Sequence, residues 1–398
     1  MYFLARLSAL LTALVLLNGC DKPDAPPLDQ QLYVWQRQWT QAHEAALKDS
    51  RADFSTLRVL ALQAFAQSGL RRSRIDPELL KRDGRPLIAV VRLDGQLQSL
   101  DTADVIAQIQ HVIADWQALG LRVDGVEIDH DAGNARLPAY RIFLTDLRAA
   151  LPSALALSIT ALPAWLNSPQ LPALLSTADS SVLQVHAVSD PQRGLFDPAQ
   201  AKKWAKDWSR ITQKPFYLAL PAYGVALLPS DGGAPVVESE VPIERGGKRR
   251  ELLADPQQLS TLARELRDDP PAHMAGLIWF RLPLVNDRRA WSLTTLRAVA
   301  RGDALDSRLT LNLSAQEGLY DISVRNQGNL DSAWPERLTL AAQGCEGADA
   351  LAGYTLQQTS DLLTFTRVRD GRIAAGGQRA IGWARCAHID QGAWNVYP

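Results

Sequence analysis

The stretch "VDGVEIDHD", residues 123–131, places four carboxylates (Asp124, Glu127, Asp129 and Asp131) among the apolar residues Val123, Val126 and Ile128. Alternate residues of a strand share a face, so Gly125, Glu127, Asp129 and Asp131 point one way and Val126 and Ile128 the other. Three carboxylates stacked on one face cannot all ionise cheaply, so at least one pKa is expected to rise. A carboxylic acid that keeps its proton near neutrality is what general acid catalysis requires. Gly125 leaves room at the foot of the stack.

Other residues bear on the same chemistry. His186 is expected on a strand and suits an acid–base or ligand role, against the plainer reading of a hydrogen-bonded interior histidine. No second histidine lies near it, and zinc needs more ligands than one. Trp35, Trp165 and Trp279 fall at or just after expected strand ends, where aromatic rings can stack on the apolar faces of sugars; packing is the alternative. Trp204 and Trp208, four apart, suit the buried face of a helix. Arg281 shares parity with Trp279. Pointing inward, it would pair with Glu127 or Asp131, lower that carboxylate's pKa and argue against an acid role. Arg92 and Asp94 raise the same question on the preceding strand. Asp129, Asp131 and Asn134 do not make a calcium loop: Gly133 precedes Asn134, and the twelfth position is Tyr140 rather than Glu. No G-x-S-x-G motif supports a serine nucleophile. No metal or other cofactor is implied.

The elements that must position these residues follow from the apolar pattern. Short apolar runs at 32–35, 57–65, 86–93, 123–129, 155–162, 181–188, 216–224 and 276–282 read as strands, with helical segments between most of them. After Asp101, Val105, Ile109, Val112, Ile113, Trp116 and Leu119 recur at helical spacing until Gly120. A second helix starts near Pro138, which suits a first turn. Eight β-α units over residues 32–302 predict an α/β fold, the (β/α)8 TIM barrel, whose chemistry lies at the C-terminal ends of its strands. A doubly wound sheet is the alternative, and no Gly-rich turn follows the first strand to support it. The long segment 224–255 reads equally as a lid or substrate flap and as a surface insertion. From 305 to 398 the alternation changes to period two, with Leu309, Leu311 and Leu313 on one face and Tyr320, Ile322 and Val324 on another. That predicts a small all-β, immunoglobulin-like sandwich.

The segment "DGVEIDHD" resembles the fourth-strand motif DGxDxDxE of family 18 glycoside hydrolases, the chitinase type. Asp124, Gly125, Ile128 and Asp129 match; Glu127 stands for the first inner Asp and Asp131 for the catalytic Glu. "ALPAYG" (219–224) resembles the family's seventh-strand xPxYG and brings in Tyr223. "GLIWFR" (276–281) resembles its eighth strand, which ends in an inward Trp, here Trp279. "LQVHA" (183–187) takes the place of its sixth-strand Met-x-Tyr, with Gln184 and His186. The resemblance implies a substrate-assisted cleavage in which Asp129 stabilises the sugar's N-acetyl group, Asp131 protonates the leaving oxygen and Glu127 is a deeper charge partner. Asp is shorter than Glu by one methylene, about 1.5 Å, and a misplacement of about 1 Å can cost ~100-fold in rate. The whole chain also resembles a bacterial lipoprotein family of unknown function.

The N-terminus fits that second resemblance. Arg6 and the apolar run Leu7–Leu17 read as a signal peptide over residues 1–19, too short to span a bilayer. Leu17-Asn18-Gly19-Cys20 resembles a lipobox, which implies lipidation at Cys20. Asp21 resembles the inner-membrane retention signal of enteric lipoproteins, so the expected location is the periplasm, on the outer leaflet of the inner membrane, with the outer membrane as the alternative. Residues 20–31 read as a Pro- and Asp-rich tether. In an exported chain the two remaining cysteines, Cys345 and Cys386, are most simply a disulfide. A net charge of −1 with 46% apolar residues excludes a disordered chain and gives no basic excess for nucleic acid.

Two functions follow. The leading expectation is a glycoside hydrolase acting on an N-acetylated polysaccharide, either peptidoglycan or an exopolysaccharide, with Glu127, Asp129 and Asp131 as its acids and Tyr223, Trp279, His186, Gln184, Trp35 and Arg281 around the sugar. The other is a non-catalytic glycan-binding or scaffold lipoprotein whose sandwich meets a protein partner. Asp131 divides them: a salt bridge to Arg281 or Arg92 favours the scaffold.

Overall fold

The computed structural model describes residues 27–397 apart from 66–68, 96–100, 187–193, 229–235, 239–249, 286 and 352. The signal peptide, Cys20 and most of the tether lie outside the described residues. Among the described residues, no helix is long and apolar enough to cross a membrane.

Eight parallel strands form the N-terminal unit: β1 (Asp29–Val34), β2 (Thr56–Phe65), β3 (Leu87–Leu93), β4 (Val123–His130), β5 (Ala156–Ala161), β6 (Ser180–Gln184), β7 (Phe216–Pro221) and β8 (Met274–Phe280). Each is followed by a helix: α1 (Ala42–Ser50), α2 (Pro77–Asp83), α3 (Thr102–Ala118), α4 (Leu137–Ala150), α5 (Leu171–Leu175), α6 (Pro198–Ser209), α7 (Pro256–Asp268) and α8 (Leu293–Arg301). β1 pairs with both β2 and β8, which closes the barrel. This is the TIM barrel that the strand and helix pattern predicts.

The helices form for local reasons. Asp101 caps α3 by accepting from Asp104 N at 3.1 Å, and Val105, Ile109, Val112, Ile113 and Trp116 give it one buried stripe. Gly120, at φ +78°, turns the chain out of it. Trp208 of α6 is fully buried, and Trp204 packs against the same core from its edge. Most of the apolar core lies between the strands and this helical ring.

Two boundaries differ from expectation. β1 begins at Asp29, inside the expected tether, because Gln31 points into the barrel and accepts from Arg58 Nε at 2.8 Å. A polar strand of this kind reads as linker when only apolar runs are counted. The segment after β7 is not structureless: Gly224–Leu228 pairs antiparallel with Val236–Glu238 and Arg250–Leu253. Residues 229–235 and 239–249 of the expected lid lie outside the described residues.

The C-terminal unit is all-β and antiparallel. Its six-stranded sheet runs β9 (Leu309–Gln316), β10 (Leu319–Asn326), β14 (Gln378–Tyr397), β11 (Arg337–Ala350), β13 (Leu362–Arg367), β12 (Tyr354–Gln358), beside a two-stranded ribbon of Ser332–Ala333 and Arg372–Ile373. Ile322, Val324, Leu338, Leu340, Leu363, Phe365 and Ile381 form its core. Cys345 on β11 faces Cys386 on β14, and the two are joined as a disulfide.

The two units meet at the segment between β8 and α8. The buried carboxylate of Asp331 accepts from Ser292 N at 2.8 Å and from Thr295 Oγ1 at 3.1 Å, holding from the other unit the first turn of α8, which Ser292 itself caps. Arg372 donates to the Ala290 carbonyl. Ala290 forms a bridge to Tyr223, and Trp291 N donates to the Ala222 carbonyl at 3.0 Å. The all-β unit therefore reaches, through one short segment, the strand end that carries Tyr223.

Candidate functional site

The barrel interior is graded from apolar to charged. Tyr33, Val90, Val182, Ala219 and Ile278 make up its apolar filling. Across it runs an ion pair: Arg58 bonds Glu127 Oε2, and Tyr33 donates to Glu127 Oε1 at 2.5 Å. Arg58 also lies over the Tyr217 ring, 5.3 Å from its centroid. Burial raises the pKa of Glu127, with Arg58 and Tyr33 acting against it. With both oxygens engaged and no exposure, Glu127 is a structural partner inside the barrel rather than a group that meets substrate.

One step toward the mouth, Asp129 and Asp131 share Arg92. Arg92 Nη1 donates to Asp129 Oδ2 at 2.9 Å, and Nη2 bonds Asp131 Oδ2. Burial works against the charge on Arg92, but Asp129 and Asp131 outweigh it and hold the guanidinium above its ordinary value. Burial raises the pKa of Asp129, Arg92 lowers it and the Asp131 charge raises it again. Asp129 Oδ1 is buried with no hydrogen-bond partner among the described residues, and neither has Thr160 Oγ1. Thr160 stands within hydrogen-bonding reach of Asp129 and favours its ionised carboxylate. Asp131 stands highest, with its side chain 36% exposed. Gly95 abuts it: a Cβ there would fall 2.6 Å from the Asp131 carbonyl oxygen.

The opposite wall is aromatic. Phe280 lies between Trp35 (5.1 Å between ring centroids), Tyr223 (5.3 Å), His186 (5.4 Å) and Tyr33 (5.5 Å). His186 Nδ1 and the Tyr223 hydroxyl are 3.3 Å apart. Burial pushes the imidazole down to about 4, with Asp131 pulling the other way, so it is neutral at pH 7. Gln184 is half-buried and shares the inward face with Val182.

The structure thus brings Glu127, Asp129, Asp131, His186, Gln184, Tyr223 and Trp35 to one barrel interior and its mouth. Three expected residues are placed elsewhere. Trp279 points outward: it is fully buried in the strand–helix layer, donates to Gln30 Oε1 at 2.7 Å and packs on Trp291. Phe280 takes the inward place. Arg281 is buried in the segment after β8 and pairs with Asp287 at 2.5 Å. Trp165 also packs, donating to the Ala132 carbonyl at 2.8 Å. Tyr33, Arg58, Thr160 and Phe280 were not found from the sequence. Arg58 had a signal, a lone charge inside the apolar run 57–65, which demands a buried counter-charge. Among the described residues no group of three or more His, Cys, Asp or Glu side chains is arranged to hold a metal.

The closed (β/α)8 barrel is a fold that this chain shares with solved bacterial enzymes. The Bacillus cereus spore cortex-lytic enzyme SleL superposes with a TM-score of 0.51 at 15% identity, over 69% of this chain and 74% of that one. A chitinase from Bacteroides thetaiotaomicron gives 0.50 at 13%, over 69% and 97%. SleL of Bacillus megaterium gives 0.50 at 13%, over 70% and 75%. These likenesses are of fold. No curated protein matches the chain. By sequence the chain belongs to the family described as a domain of unknown function, DUF3142, which matches residues 83–285; a second domain of unknown function, DUF8456, matches residues 309–387.

Proposed function

We propose that the barrel mouth binds an N-acetylated glycan of the cell envelope, and that in the free protein it is a binding site rather than a poised hydrolase. The observation that carries the binding is the buried carboxylate of Asp129, whose Oδ1 has only Thr160 beside it among the described residues, in a barrel whose opposite wall is aromatic. A buried carboxylate oxygen has room for a second donor, and an acetamido N–H would supply one. Trp35, Tyr223 and Phe280 offer faces for the apolar side of a sugar ring.

Hydrolysis was the leading expectation from the sequence; the ion pair from Arg92 to Asp131 moves the balance to binding. A leaving oxygen must reach the carboxyl at the top of the stack, and there the Arg92 guanidinium already occupies Asp131 Oδ2. The cleavage reading keeps one specific support: Asp131 occupies the top of the stack, where the resemblance to family 18 implies the acid. The proposed setting is the periplasmic face of a membrane, with the chain anchored through a lipid at Cys20, since the N-terminus resembles a lipoprotein signal. Peptidoglycan or an exopolysaccharide would be the partner, and the C-terminal sheet would be free to meet a second protein.

The test is a soluble chain starting at Asp21, offered peptidoglycan and N-acetylated oligosaccharides, with Asp129→Asn and Asp131→Asn beside it. Binding without product release, weakened in Asp129→Asn, is the expected result. Product release by the wild type that disappears in Asp131→Asn establishes the hydrolase instead. No binding at all removes both.

A further inference from the structure

A groove of 780 Å³ opens beside the mouth, between the segment that follows β1 and the hairpin Gly69–Arg72 folded back on the end of β2. Four arginines line it: Arg37, Arg71, Arg72 and Arg74. Arg72 is occupied by Asp115 at 2.6 Å. Asp76, the one carboxylate in the lining, is occupied as the cap of α2, accepting from Leu79 N at 3.0 Å. Arg37, Arg71 and Arg74 are exposed and have no carboxylate partner among the described residues. Phe65 carries the Arg37 guanidinium 5.7 Å from its ring centroid, which fixes the charge without neutralising it. Trp39, stacked on His43 at 4.7 Å, forms part of the same wall.

Three uncompensated guanidinia side by side are not explained by bulk composition, because the chain is close to neutral. Exposed like charges are screened by water and salt, so the cluster costs little by itself, and it gives the groove a positive potential that attracts an anion. Arginine presents planar forks that match an oxyanion such as carboxylate, and the aromatic rings between them suit a flat sugar. The groove also continues the site. Gln63 in its lining is the register partner of Arg92, the residue that clamps Asp129 and Asp131. The groove therefore borders the acid stack through Gln63.

We infer that this groove is an anion subsite and that the glycan bound at the mouth is acidic, carrying carboxylates along its length; the inference rests on the glycan-binding reading above. The full chain, solubilised in detergent, would be titrated with hyaluronan oligosaccharides, which alternate a uronate with an N-acetylhexosamine, and with neutral N-acetylchitohexaose of equal length. The comparison is repeated for Arg37→Gln/Arg71→Gln/Arg74→Gln. Exposed ion pairs are individually weak, so the expected preference of the wild type for the acidic ligand is about tenfold at low salt, fading as NaCl screens it. The triple variant loses that preference and keeps its affinity for the neutral oligosaccharide. Equal wild-type affinity for both ligands overturns the anion subsite and leaves the glycan site standing. Binding of neither ligand overturns both. Single-stranded DNA bound as tightly as hyaluronan, and lost in the same variant, overturns the glycan as occupant of the groove.

Discussion

Arg92→Met isolates the interaction that distinguishes a binding site from a hydrolase. Methionine keeps the apolar stem and removes the charge. Asp129 then loses its one ion pair while its side chain is only 7% exposed, and removing one partner of a buried pair costs about 3–5 kcal/mol. Asp131, at 36%, is screened by solvent and adds about 0–1 kcal/mol. The expected loss at pH 7 is therefore about 3–5 kcal/mol, dominated by Asp129. The sign with pH follows. Without Arg92, burial and the Asp131 charge raise the Asp129 carboxyl further, so the folded variant holds a proton that the unfolded chain releases. The deficit is largest at neutral pH and shrinks as pH falls toward about 4, the unfolded carboxylate value. Adding Asp129→Asn removes the buried charge and recovers most of the loss. Urea unfolding of the wild type and the two variants at pH 7 and pH 5 measures all three. A loss below about 1 kcal/mol at pH 7, or one that does not shrink at pH 5, would refute the reasoning.

Other outcomes follow from the same structure. His186, neutral and held at about 4 against 6.5 when unfolded, contributes stability that is complete above about pH 6.5 and is lost as pH falls toward 4, about 3 kcal/mol in all; His186→Gln should flatten that limb of the acid unfolding curve. Trp279→Ala should cost about 3–5 kcal/mol in stability and leave glycan affinity intact, whereas Phe280→Ala should weaken glycan binding in a calorimetric titration. Cys345→Ser with Cys386→Ser opens a loop of 41 residues, for which chain entropy gives about 4 kcal/mol, seen as a lower melting point of the all-β unit under non-reducing conditions.

The legible parts of the fold were those in which one face is apolar and the other is not. The stripe of α3 and the alternation of β10 place themselves, and the acids of β4 announce an interior that is not a plain core. Trp279 was misplaced because 276–280 is apolar on both faces. A strand buried on both sides carries no alternation from which parity can be read, and a shift of one residue exchanges Trp279 for Phe280. β1 was shortened for the opposite reason, since its inward Gln31 serves Arg58. Arg92 was legible as a question but not as an answer, because reaching Asp129 and Asp131 depends on the stagger between β3 and β4, which only the closed barrel sets.

The clamp of Asp331 and Arg372 on the segment 290–295 also has a hereditary consequence. The aromatic wall at Tyr223 is braced by a unit encoded more than a hundred residues downstream. A gene shortened at the end of α8 would yield a barrel with its eight strands intact and one rim unsupported. Such a fragment would expose the first turn of α8 and loosen the aromatic wall together. Selection on the barrel mouth alone would then keep the two modules in a single reading frame, whether or not the second ever reaches the mouth.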